Sequence, residues 1–529
     1  VARSAWRSAT AVVGSRCVGA FLRCAVGPQQ SPVRRCTLHE AFRANQSMWS
    51  EACHVAVRTR SAGASDDARV SNRVARPDNR LALLDQSFFT WQQATGEKVA
   101  IQIVWVYEHE VDFDGLSRFH RNLGHGLLGR RIERSPLPFA RHRWVADQAP
   151  PNIDIAECPR PRSELSDWAD ERSQLPTDPE WGPGWHLGVQ PLEDGATAIS
   201  LVVSHCLVDG LGLAVVILDA IMGKARNLGL PPPHSRTPVR AVVHDVRETA
   251  QDTPHIIEAF VAGSKLAGRR WRDRNRPGRT DAVRSLARPA LPLPGGDADE
   301  VIVVPGITIY TDVDEWDARA KALGGTSNTL LAGLAAKLAE RMGRRRATDG
   351  AVTLQLPISE RGEDDTRANA MSIARVSIDP STVTNDLRVA RDAIKRALAT
   401  KAQTPDEVRK LLWLMPFRSR RSMERAAEAA LADPDCPVYC SYLGDLTSLL
   451  CRIDGTDAEY ITARATWHHA TRQWLERTGG VMRLQSGRIN GRITVTVVAY
   501  QPGGENTKPA LRELAGQALA DFGLTGDID

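Results

Sequence analysis

Apolar positions along the chain gather into runs of two kinds. Ala198 to Val203 (AISLVV) is continuous and β-rich, the pattern of a strand covered on both faces, and the apolar run GLGLAVVILDAIMG, Gly210 to Gly223, follows it with helical character. Taken together, Ala198 to Gly223 rivals the length of about 20 apolar residues that crosses a bilayer. His205 and Asp209 stand at its centre, however, and two ionisable groups at mid-depth are costly in hydrocarbon, so the pattern predicts a strand, a sharp turn and a buried helix. Upstream, a strand is expected near Val99 to Tyr107 and a helix near Phe113 to Gly124, opened by the acidic turn Asp112 to Asp114. Downstream, PPPHSRTP, Pro231 to Pro238, marks an exit loop, and Ala241 to Arg272 is helical in pattern. Arg274 to Glu300 is rich in proline and glycine and reads as a crossover linker, a kind of long irregular segment that is often mobile or functional. Near the end, Asn490-Gly491 between MRLQSGRI and RITVTVVAY is a strong hairpin signal.

These breakers divide the chain into residues 76–225, a linker region 226–300 that is first helical and then Pro/Gly-rich, and residues 301–523. A length of 529 residues with 42% hydrophobic content suffices for two cores. The opening is different. Residues 1–75 are rich in Arg, Ser and Ala and carry no acid before Glu40, a composition shared by organelle transit peptides, disordered extensions and upstream frames translated from a wrong start. With Val1 first and Met48 the first methionine, the expectation is an artefactual or unstructured leader. A formal net charge of +5 is weak over this length, and no basic stripe interleaved with aromatics suggests nucleic acid. Cys436 and Cys440 lack the second pair or histidines that a zinc site needs, so no metal is expected. An odd cysteine count of nine without a secretory signal favours a reducing cytoplasm.

The candidate chemistry lies in SHCLVDG, Ser204 to Gly210. His205 comes at the end of the strand run, where an imidazole with an ordinary pKa near 6.5 is a suitable base for an alcohol or amine. Asp209 precedes the helix and would accept from its first free amides, a structural cap or ion-pair partner rather than a proton carrier. Gly210 and Gly212 leave room for close backbone approach. Taken alone, a histidine in an apolar run is more often a satisfied core residue, and Asp-Gly before a helix is ordinary capping.

The pattern H-x-x-x-D-G resembles the signature of the chloramphenicol acetyltransferase-like superfamily, and other segments are similar to the same plan in the same order. Leu81 to Phe89 (LALLDQSFF) resembles the opening segment of the wax ester synthase/diacylglycerol acyltransferase group. Pro179 to His205 is similar to that family's approach to the motif, Thr326 to Gly343 to the helix opening its second half, and Val352 to Ile378 to a strand, a Pro-x-Ser turn, a loop with an Asn and a second strand. Val438 to Leu446 (VYCSYLGDL) stands where the family has its later Ser-Asn or Gly-rich segment. Two departures are plain: Ser204 replaces the first of two adjacent histidines, and neither an Asp-Phe-Gly-Trp-Gly nor a clear Ser-Asn-x-Pro-Gly-Pro segment is present.

The resemblance implies an α/β fold of two similar subdomains, each a mixed sheet flanked by helices, with a tunnel between them. An acyl thioester, on coenzyme A or a carrier-protein phosphopantetheine arm, would enter one end and an alcohol or lipid acceptor such as a fatty alcohol or diacylglycerol the other. No cofactor beyond the thioester substrate is implied, and any contact with a membrane or lipid droplet would be peripheral. His205 would be the general base, with Asp209 and Gly210 in support and Asn369 and Ser441 as substrate-side candidates. Nearby rivals are a polyketide-associated or condensation-type enzyme with a carrier-bound donor, and a silent acyl-binding paralogue. In the family the motif aspartate is typically paired with an arginine. Arg361, in the polar loop, is expected to face solvent, and the position of Asn369 is left open. His468 and His469 are adjacent on a predicted strand and point apart, which favours structural roles. The basic run Gly343 to Gly350 (GRRRATDG) fits the negative end of a helix dipole better than coenzyme A phosphates.

Overall fold

The computed structural model describes residues 79–147, 151–274, 299–362, 364–403, 407–431 and 433–529. The leader and most of the crossover linker lie outside them.

In the first half, strands β1 (Lys98–Tyr107), β2 (Arg130–Glu133), β3 (Arg143–Ala146), β4 (Asp154–Ile155), β5 (Trp185–Pro191) and β6 (Thr197–Ser204) are interspersed with helices. The second half holds β7 (Gly306–Asp312), β8 (Val352–Ser359), β9 (Met371–Ile378), β10 (Val438–Asp445), β11 (Tyr460–His468), β12 (Val481–Ile489), β13 (Arg492–Tyr500) and β14 (Asp527–Ile528). They build one five-stranded sheet in the order β11-β1-β6-β5-β4, one seven-stranded sheet in the order β14-β7-β13-β12-β10-β8-β9, and the β2/β3 ribbon. The expected mixed α/β architecture of two sheets flanked by helices is present. One strand departs from chain order: β11 leaves the second half and pairs antiparallel with β1, Val99 opposite Trp467 and Lys98 opposite His468.

Each sheet follows from its sequence. All eight residues of β6 are buried, as its unbroken apolar run predicts. Two buried polar residues of β1 and β6 meet inside this sheet, where Gln102 Nε2 donates to Ser200 Oγ at 2.9 Å, and Arg464 Nε of β11 donates to Gln102 Oε1 at 2.7 Å. In the second half, the helix Ser327–Arg341 is capped by Thr326 and has ten buried residues. There Val438, Cys440, Met482 and Leu484 face that core. Alternation therefore turns Tyr439, Ser441, Leu443, Arg483 and Gln485 the other way, toward the first sheet. Gln485 Oε1 accepts the Ala465 amide of β11 at 2.5 Å, which confirms the contact.

Between the halves runs the helix Pro238–Arg274, longer than the expected span by three residues at one end and two at the other. Val239, Val243, Val246, Ile257, Phe260 and Val261 are exposed along one face of it. No helix among the described residues is long and apolar enough to cross a membrane.

Candidate active site

The strand-turn-helix at the motif forms as the residue pattern dictates. β6 ends at Ser204, whose Oγ accepts the Cys206 amide at 3.4 Å, so the residue in place of a first histidine shapes the turn. The His205 amide donates to Val99 O at 3.0 Å, which ties the turn to β1. Asp209 caps the helix Gly210–Ile221 by accepting from Gly212 N at 2.8 Å.

Asp209 is also an ion-pair partner, as expected, although the sequence did not disclose which arginine it meets. Arg361 is only 4% exposed and forks onto it, Nε to Oδ1 at 3.2 Å and Nη2 to Oδ2 at 2.8 Å. The expectation that Arg361 faces solvent is therefore corrected: it is the arginine partner of the motif aspartate. The same guanidinium donates to the carbonyls of Asp365, Arg367 and Ala368, and so folds its own loop around itself. Gly212 is the glycine this packing requires, because a Cβ there would lie 2.9 Å from Arg361 Cζ. Gly210 has room for a side chain, with Leu443 Cδ2 at 3.8 Å from a Cβ, so the close-approach reading belongs to Gly212 and not to Gly210.

A second carboxylate completes the brace. Asp85, in the helix Leu83–Thr95, is buried and accepts the amides of Ala368 at 3.0 Å and Asn369 at 2.8 Å, while Ala370 N donates to Asp209 Oδ2 at 2.9 Å. Burial pushes the Asp85 carboxyl above its ordinary range, against the pull of those amides and of Arg130. Arg130, itself buried, donates to Thr366 O at 2.6 Å and Leu207 O at 3.0 Å and lies 3.8 Å over the Trp144 ring. Three successive amides of the 361–370 loop are thus held by two carboxylates from the first half. Asp85 had one signal in the sequence, a carboxylate inside the apolar run LALLDQSFF.

His205 sits on this platform, half-buried, its ring 5.1 Å from that of Phe88. Its Nδ1 is buried without a hydrogen bond of acceptable geometry. Burial holds its pKa below the ordinary 6.5, opposed by the Asp209 carboxylate and its own carbonyl and reinforced by Arg483. The ring is therefore neutral at pH 7, the state a general base requires.

Asn369 is brought to the turn: Nδ2 donates to His205 O at 3.2 Å, and Oδ1 is buried with no partner. Ser441 is buried on β10 between Tyr439 and Leu443, on the face turned to the motif. A cleft lined by His125, Leu127, Gly212, Val216, Arg226 and Arg361 opens beside the motif helix; its lining does not include His205.

The other candidates separate from this centre. His468, the last residue of β11, is 1% exposed, whereas His469 lies in the turn beyond the strand, at φ 56°, and is exposed, so the turn and not strand alternation separates the two. The basic run beyond the helix Ser327–Arg341 is engaged by protein groups: Arg344 donates to Gly479 O at 3.0 Å, and Arg346 pairs with Asp349. His244, Asp245 and Glu248 lie close enough to share a ligand, yet Arg143 forms ion pairs with both carboxylates there. Cys436 and Cys440 are both buried.

No family model matches the chain, and no curated protein matches it in sequence. Solved structures do. The first condensation domain of the CDA synthetase is 13% identical, with a TM-score of 0.48 over 85% of this chain and 100% of that one. The wax ester synthase/diacylglycerol acyltransferase from Marinobacter aquaeolei VT8 is 12% identical, with a TM-score of 0.47 over 84% and 98%. Polyketide synthase associated protein 5 from Mycobacterium tuberculosis is 13% identical, with a TM-score of 0.44 over 84% and 96%.

Proposed function

We propose that this chain is an acyltransferase that moves an acyl group from a thioester, on coenzyme A or a carrier-protein phosphopantetheine, to a hydroxyl acceptor, with His205 as general base. The observation that carries this reading is a neutral, half-buried imidazole with an orphaned nitrogen, fixed on a turn that two carboxylates and two arginines brace from both halves of the chain. A residue held so rigidly at a strand end suits presentation of one atom to a substrate.

In this scheme His205 takes the acceptor's hydroxyl proton as its oxygen bonds to the thioester carbonyl carbon. The tetrahedral intermediate collapses, the carbon–sulfur bond breaks, and the departing thiolate receives the proton from His205. No acyl-enzyme and no resident cofactor enter the scheme. A well-placed base contributes about 100- to 10,000-fold, and alignment of the two substrates contributes the rest. The Asn369 amide and the Ser441 hydroxyl are the nearest candidates for contact with substrate. Asp209 acts through position alone, since both its oxygens are taken.

The test is direct. The full chain, given labelled palmitoyl-CoA and long-chain alcohols or diacylglycerol, is expected to form ester, and His205→Ala to lower turnover by about 100- to 10,000-fold with an unchanged melting curve. Absence of product from either coenzyme A or carrier-bound donors, with any hydroxyl acceptor, would sink the reading. So would a His205→Ala variant that keeps full turnover.

A further inference from the structure

β12 carries a cation into the layer between the sheets for which the acyl-transfer scheme has no use. The Arg483 guanidinium lies 4.1 Å from the centre of the Trp467 ring and 5.3 Å from that of Tyr439. The side chain is half-buried, and among the described residues it has neither a hydrogen bond nor a carboxylate partner, whereas Arg130, Arg143, Arg361 and Arg464 all have one or the other. Trp467 is the register partner of Val99, and the Val99 carbonyl takes the His205 amide. The cation therefore stands beside the base, close enough for its charge to bear on the imidazole. Burial brings it down to about 10, which leaves it charged at neutral pH.

A half-buried guanidinium without a counter-ion is incompletely satisfied, and an anion would complete it. Trp467 and Tyr439 both lie against the group, and the N–H edge of a guanidinium is the part that grips a planar carboxylate with two parallel bonds. At the motif turn, Asn369 Oδ1 and His205 Nδ1 are buried without partners among the described residues. The phosphates of coenzyme A or a carrier arm are separated from the thioester by the whole pantetheine chain. An anion next to the base must then belong to the acceptor or to the transient oxyanion. The oxyanion exists only in passage, while the cation has no ion-pair partner among the described residues of the resting chain.

We infer that Arg483 is the carboxylate subsite of the acceptor pocket, and that the acceptor is a hydroxy or amino acid whose nucleophile meets His205 while its carboxylate rests on Arg483. The fate of the nucleophile rests on the acyl-transfer reading; the binding of the carboxylate does not.

The experiment measures the full chain with palmitoyl-CoA against hydroxy acids and amino acids of graded length, each paired with its methyl ester. At one or more lengths the acid should exceed its ester about tenfold or more in kcat/KM. Arg483→Gln should bring that ratio close to one, and Arg483→Lys, which keeps the charge without the fork, should retain part of it and show that the sheet tolerates the change. A wild-type ratio near one overturns the inference. So does an equal loss for acid and ester in Arg483→Gln, which would place the cation at the oxyanion. Should no acceptor turn over, calorimetric titration of the same acids decides the subsite alone: binding weakened about tenfold by Arg483→Gln upholds it although acyl transfer fails, and binding indifferent to the substitution removes it.

Discussion

Two histidines flank the start of β1, and they have opposite characters. His205 follows β6, whose Ser204 is opposite Ala100, and His468 ends β11 opposite Lys98. Both rings have buried nitrogens without partners, one in His205 and both in His468. His468 is sealed, and its pKa is pushed down to about 4 by burial first and then by His469, Lys98 and His186, with no carboxylate in opposition. His205 keeps some exposure and has the Asp209 carboxylate working against its burial. An orphaned imidazole is therefore not a base by that fact alone. Access and an opposing negative charge distinguish the one that can take a proton near neutrality from the one that stays neutral as packing.

That distinction depends on the brace under His205, and breaking it should give the largest effect. Arg361→Met leaves the Asp209 carboxylate buried without its counter-ion, for which a destabilisation of about 3–5 kcal/mol is expected. Denaturant unfolding is the measurement, with turnover followed on the folded fraction. A variant with an unchanged midpoint and no activity would move the pair from architecture into the chemistry. Nothing comparable supports His468, where the Ser173 backbone is what works against its depression.

Which of these features the sequence disclosed follows from their range. The strand, turn and helix of the motif, the Asp209 cap and the Asn490-Gly491 hairpin are local, and hydrophobic period and turn chemistry predict them within a residue or two. Arg361 escaped because its partner is 152 positions away and because RGEDDTRAN, with three carboxylates in a short loop, has the composition of a solvated surface. Arg483 escaped for a related reason. VMRLQSGRI alternates as a strand with one wet face does, yet the face that alternation turns from its own core meets the other sheet instead of water. Asp85 and Arg130 meet the 361–370 loop only after both halves have folded. Periodicity identifies which side of an element is polar, but not what that side comes to touch.

The second contrast to sharpen is the acid response of the two rings. With the folded-state pKa of His468 near 4 and the ordinary value at 6.5, the native state binds fewer protons than the unfolded chain throughout that window. Its contribution to stability is complete above pH 6.5 and is lost as pH falls toward 4, up to about 3 kcal/mol. His468→Leu removes the titrating group, so the fall in unfolding free energy between pH 6.5 and 4 should be shallower than in the wild type. Parallel pH profiles of the two proteins would show that His468 ionises freely in the native state and is not sealed.

The smallest expected effect tests the electrostatics of His205 itself. A base must be deprotonated to act, so kcat/KM should fall on the acid side with a midpoint below 6.5, the direction in which burial and Arg483 hold the ring. Removing the cation in Arg483→Gln relieves one of the two depressing influences, and the acid limb should move upward, by up to about one pH unit. His468→Leu, by contrast, should leave the limb where it is, since Asp209, Arg483, Asn369 and its own carbonyl are the groups that set His205. A limb that follows His468 and ignores Arg483 would mean that the titrating group seen in kinetics is the sealed ring, and that the motif histidine has been given the wrong part.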